Sequence, residues 1–129
     1  MKGEITMPMI DISGVPHETS QEKLVQLEDS VEKRMATAMG MEATMFHAYP
    51  HVSPTERTRP RDMIFGKITT AFFYENREEE ETQAKARAAT NAAAIAIWRC
   101  YGGKYTVEVF PPDYMDPSLR TRIKAAPAS

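Results

Sequence analysis

The chain has 129 residues, 42% of them apolar, and a formal net charge of -2, which suits one compact domain with a modest core. Charges of both signs are interspersed, which argues against a general nucleic-acid binder, and the apolar stretch from Ala92 to Trp98 is far too short to span a bilayer. The single Cys100 excludes an internal disulfide framework. Together with an N-terminus lacking an apolar signal core, it points to a reducing cytoplasm. His17, His47, His51 and Cys100 show no recognised metal-ligand spacing, so no metal is expected.

The first element opens on Met7-Pro8, followed directly by the strand pattern Pro8-Met9-Ile10-Asp11-Ile12-Ser13. A proline at a strand start gives up a donor where the loss is tolerated. A second reading is that the functional chain begins at Met7. Lys2-Gly3-Glu4 is encodable as AAA-GGA-GAA, a purine-rich stretch of the bacterial ribosome-binding type, a few nucleotides ahead of the Met7 codon. Residues 1–7 are then an extension outside the functional chain. Removal of Met7 leaves Pro8 with a free secondary amine, a base that no ordinary side chain supplies. With residues 1–7 attached, Pro8 is an amide and is no base at all.

Thr19-Ser20-Gln21-Glu22 reads as a capping box, and Leu24, Leu27, Val31, Met35 and Ala38 follow at helical spacing. Gly40 ends that helix. A second strand is expected from Ala43 to Tyr49, with Met45, His47 and Tyr49 on one face and Thr44, Phe46 and Ala48 on the other. Residues 50–61 form a connector, since Pro50, Pro54 and Pro60 break a ladder, and it carries Arg57, Arg59 and Arg61.

The second half repeats the order. A strand is expected from Met63 to Glu75, with Gly66 as a bulge. Asn76 is placed to cap the next helix, with Glu79 as its partner in the box. Glu78 to Glu81 lie in the first turn, each worth about 0.3–1 kcal/mol against the helix dipole. That helix runs to about Tyr101, and its alanines (Ala84, Ala88, Ala92 and Ala89, Ala93, Ala96) let it lie close to a sheet. After Gly102-Gly103 a fourth strand spans Lys104 to Phe110, and the tail from 111 to 129 reads as irregular, with a short helical turn near Pro117 to Ile123.

Residues 1–129 thus form a single domain of two β-α-β halves, 8–49 and 62–110, each with a parallel strand pair. The fold class is α+β, a two-layer sandwich of a four-stranded sheet with two helices on one face. Met9, Met45, Phe46, Phe65, Phe72 and Phe73 exceed what one helical layer buries. Association through sheets or strand edges is therefore expected.

Met7-Pro8-Met9-Ile10, a capped helix about a dozen residues on, and the halved architecture together resemble the tautomerase superfamily, over about Pro8 to Phe110. Its members include 4-oxalocrotonate tautomerase, macrophage migration inhibitory factor and malonate semialdehyde decarboxylase. The resemblance implies a homotrimer and a catalytic Pro8 whose amine moves a proton beside a carbonyl, with a small carboxylate or keto-enol compound as substrate and no cofactor. It further implies Arg77, in Glu75-Asn76-Arg77-Glu78-Glu79-Glu80, as the fork that holds the substrate carboxylate.

Two departures from the family stand out. Glu75 occupies the position where a decarboxylase-like relative has a second arginine. The strand 43–49 lacks the arginine of the short tautomerases and offers His47 and Tyr49 to orient a substrate oxygen. The Arg57, Arg59, Arg61 cluster is a further source of positive charge. The rival class is a non-catalytic oligomeric α+β binding protein, either a degenerate tautomerase fold or a ferredoxin-like domain. A dimeric ferredoxin-like barrel oxygenase ranks below both.

Overall fold

The computed structural model describes residues 8–54 and 63–127. Five strands and two helices follow in the order β1 (Met9–Val15), α1 (Gln21–Met39), β2 (His47–Val52), β3 (Met63–Thr69), α2 (Glu80–Cys100), β4 (Thr106–Phe110) and β5 (Thr121–Ile123). They form one mixed sheet in the order β2-β1-β3-β4-β5. β1 pairs with β2 in parallel and β3 with β4 in parallel, while β1 and β3 run antiparallel at the centre. Each half is therefore a β-α-β unit, and an approximate two-fold axis between β1 and β3 relates the halves.

The class is α+β, but the sheet has five strands rather than the four expected. The tail turns once through a 3-10 helix at Pro117–Leu119 and then adds β5 antiparallel to β4. Three residues are too few for an alternation to be visible in sequence. What holds them is distant: the buried Thr90 hydroxyl of α2 donates to Leu119 O at 2.9 Å and lies 2.9 Å from Thr121 Oγ1. Ala126 N–H also reaches Gly103 O at 2.7 Å, which anchors the tail near its end.

The helix α1 forms because Leu27, Val31, Met35 and Met39 recur on one face, all buried against the sheet. Its N-cap is Ser20, not Thr19: Ser20 Oγ accepts from Lys23 N–H at 3.1 Å, and Thr19 Oγ1 instead meets the Tyr101 hydroxyl at 3.0 Å. At the other end Gly40 has φ 68°, and Gly40 and Met41 N–H return to Thr37 and Ala36 carbonyls. That pair of bonds closes the orphan carbonyls of the last turn.

α2 lies against the sheet through Ala86, Ala89, Ala93, Ala96 and Ile97, so the Ala89–Ala93–Ala96 side faces inward. It starts at Glu80, with Glu79 at the cap position and no side-chain cap bond, so Asn76 is not the cap expected from sequence. β3 stops at Thr69, six residues short of Glu75. The chain then turns repeatedly through residues 71–78 before the helix.

Gly66 is not a bulge. β3 stays in continuous register through it on both sides. A Cβ there would meet Ile10 Cδ1 at 3.0 Å and Val109 Cγ2 at 3.1 Å, so any side chain at this position requires those two neighbours to shift. The irregularity lies in β1 instead, between Ser13 and Val15.

β2 also departs from expectation. Ala43–Met45 is a 3-10 turn, the strand begins at His47, and it runs through Pro50 to Val52. Pro50 is accommodated because β2 is an edge strand, where a missing donor leaves no ladder bond unmade. Glu32 of α1 covers part of that edge, its Oε2 accepting from Ala48 N–H at 2.9 Å.

Both helices pack on each other and on one face of the sheet. The core between the layers holds Ile10, Ile12, Ile64, Ile68, Val107 and Val109 facing Leu27, Val31 and Ile97. Phe46 and Phe73 are buried within the chain, contrary to the expectation that they need an outside partner. Met9, Met45 and Phe65 are half-buried, and Phe72 is 45% exposed. The uncovered face is mixed in character, carrying Asp11 and Lys67 between Met9 and Phe65.

Candidate functional site

Strand directions bring four chain segments to one end of the sheet. β1 and β2 begin there, and β3 and β4 end there. Pro8, just ahead of β1, is buried, and its carbonyl accepts His47 N–H at 3.2 Å. Met9 pairs with both His47 and Thr69. Pro8 thus stands between the first residue of β2 and the segment that leaves β3.

That segment supplies an aromatic cluster. Tyr114, which follows Pro111-Pro112 at the end of β4, donates its hydroxyl to Thr70 O at 2.5 Å. Burial pushes its phenol above the ordinary tyrosine range. Its ring meets Tyr74 edge-on, with centroids 5.1 Å apart. Phe72 packs edge-on against the buried Phe73.

Arg77 belongs to this cluster. Its guanidinium lies 4.2 Å from the centre of the Tyr74 ring, and Nη1 donates to Tyr74 O at 2.7 Å. The contact is a cation-π pair reinforced by a hydrogen bond. Arg77 is therefore in the same end region as Pro8, with its fork engaged by the turn that carries it.

His47 and Tyr49 lie on the uncovered face of β2, their rings stacked at 6.2 Å and 29°. His47 is the nearer to Pro8. Tyr49 is two residues along, level with Asp11, and 46% exposed. Of the four candidates, Pro8 and His47 are joined by a backbone hydrogen bond, and Arg77 shares their end of the sheet through Tyr74 and Tyr114. Tyr49 extends from the group along the open face. Arg57, Arg59 and Arg61 lie outside the described residues. The strands that flank their segment meet the opposite end of the sheet, where Val52 pairs with Val15 and Met63 with Thr106.

Sequence reasoning missed Tyr74, Tyr114 and the Lys67–Asp113 ion pair beside them. One signal was present. Two parallel β-α-β halves with antiparallel central strands bring the residues after β4 next to those after β3, so the first tail residues belong at this end.

Among the described residues, no group of three or more His, Cys, Asp or Glu side chains is arranged to hold a metal ion. Cys100 is free and half-buried, and burial pushes its thiol above the ordinary range, only partly offset by Lys23. No described helix is long and apolar enough to cross a membrane. No model of a known protein family matches the chain, and no curated protein sequence matches it significantly.

Proposed function

We propose that the chain, with Pro8 as its amino terminus, is a tautomerase-like isomerase acting on a small keto-enol or unsaturated carboxylic acid. The observation that carries this reading is the position of Pro8: buried at the head of a central strand, at the sheet end shared with His47, Tyr114 and Arg77. The duplicated β-α-β plan supports it further.

As the amino terminus, Pro8 offers a free secondary amine, and in the tautomerase family that amine is the general base. It takes a proton from the carbon beside the substrate carbonyl, and the electron pair moves to the carbonyl oxygen. The protonated amine then returns that proton to a different atom of the dienol. Arg77 pairs with the substrate carboxylate after leaving the Tyr74 carbonyl. His47 orients the substrate oxygen, and Tyr49 extends the contact surface. The subunit acts as a homotrimer joined through the uncovered face of the sheet.

A non-catalytic α+β binding protein is the second reading. It is favoured by one observation: Arg77 already rests on the Tyr74 ring, with one of its donors engaged by the Tyr74 carbonyl. Enol-to-keto conversion of phenylpyruvate, assayed with chains beginning at Pro8 and at Met1, separates the two. The Pro8 chain is expected to exceed both the Met1 chain and Pro8→Ala by about a hundredfold or more. Equal activity in all three overturns the amine mechanism.

A further inference from the structure

The opposite end of the sheet holds a cleft, about one strand length from Pro8, roughly 20 Å. It is the counterpart of the Pro8 end under the approximate two-fold. There the chain passes from β1 into α1, and from α2 toward β4. The cleft has a volume of about 580 Å³ and is lined by Lys23, Arg99, Lys104, Tyr101, Tyr105 and Glu18, among others.

Its charge runs against that of the molecule. The described lining carries three cations and one carboxylate, on a chain whose net charge is -2. Neither Arg99 nor Lys104 sits within ion-pair distance of a described carboxylate, a state they share with most described lysines and arginines. Lys23 Nζ is spent on a neutral acceptor, donating to Cys100 O at 2.9 Å. Three cations from two helices and a turn beside the single carboxylate of Glu18 make a local positive potential that draws anions. The N-terminus of α1 adds to that potential at the same place.

The walls beside the cations are aromatic. Tyr101 and Tyr105 meet edge to face at 5.6 Å, and Thr19 Oγ1 holds the Tyr101 hydroxyl at 3.0 Å, which fixes the ring. Arginine offers a planar fork of donors to a phosphate, and lysine a point charge. Three cations suit a group with two negative charges better than a single carboxylate. The tyrosine edges suit a flat ring next to it.

We propose that this cleft binds a phosphate monoester carried on a planar ring. The inference is independent of the amine reading, because its readout is ligand contact and not turnover. Phenyl phosphate, titrated into the isotopically labelled full chain at low ionic strength, shifts the amide resonances of residues 18–23 and 99–105. Inorganic phosphate binds the same residues at least about fivefold more weakly, because it lacks the ring. Arg99→Gln with Lys104→Gln weakens phenyl phosphate by about tenfold or more, and both side chains are exposed, so the fold is retained. Glu18→Gln tightens it by about twofold, since the one opposing charge is gone.

Three results overturn the proposal. One is no shift in those two segments up to about 5 mM phenyl phosphate, the weak end of specific binding. Another is unchanged affinity in the double variant. The third is equal affinity for phenyl phosphate and inorganic phosphate.

Discussion

The two halves share one plan, yet α1 is held at its ends by local chemistry and α2 by what it packs against. In the first half, Ser20 caps one end and the Gly40 turn closes the other, so the helix is specified by residues within its own span. In the second half, Glu79 makes no cap bond, and the helix relies on a row of alanines against the sheet and on Thr90 tied to the tail. The connections differ in the same way. Only a few residues join β1 to α1, whereas ten join β3 to α2, and those ten carry Phe72, Phe73, Tyr74 and Arg77. Because β1 and β3 are antiparallel, the two connections lie at opposite ends of the sheet. One plan therefore yields two different ends: an aromatic cluster near Pro8 and a basic cleft away from it.

The seam between the halves is the place to break this arrangement hardest. Gly66→Val forces a side chain into space already bounded by Ile10 of the first half and Val109 of the second. The expected cost is about 1–3 kcal/mol from overpacking, read as a lower midpoint in urea unfolding. A neutral result would mean that the halves are not packed this tightly at the centre.

The capping contrast gives smaller effects of opposite sign. Ser20→Ala is expected to cost about 1 kcal/mol, because the Lys23 amide loses its acceptor. Glu79→Asp is expected to stabilise by a few tenths of a kcal/mol or more, because a shorter carboxylate can reach back to the uncapped first turn. Thermal unfolding of the two variants distinguishes local from packing control. Equal costs at both positions would erase the contrast.

These differences also mark what was legible in the sequence. Leu27, Val31 and Met35 announce α1 by their spacing, and the two-halved order follows from four strand patterns around two helices. Pro50 misleads because a proline breaks a central strand but not an edge one, and edge position is a property of the whole sheet. Thr19 misleads because it competes with Ser20 for the cap, and Tyr101, 82 residues away, decides the contest. β5 is invisible for a related reason, since its hold on the fold comes from Thr90. At the Pro8 end, Met7-Pro8 and Arg77 stand out as single residues. Tyr114 does not, because only the folded sheet brings it to Thr70.

Titration of the Pro8 amine tests the central claim most directly. In a chain beginning at ¹⁵N-labelled Pro8, the proposed base has to be neutral at the working pH, so the amine should lose its proton at lower pH than an exposed N-terminal proline. Activity toward phenylpyruvate enol should rise with pH through that same transition, because only the neutral amine accepts a proton. An amine that titrates like an exposed proline, or a rate that ignores its transition, would contradict the account.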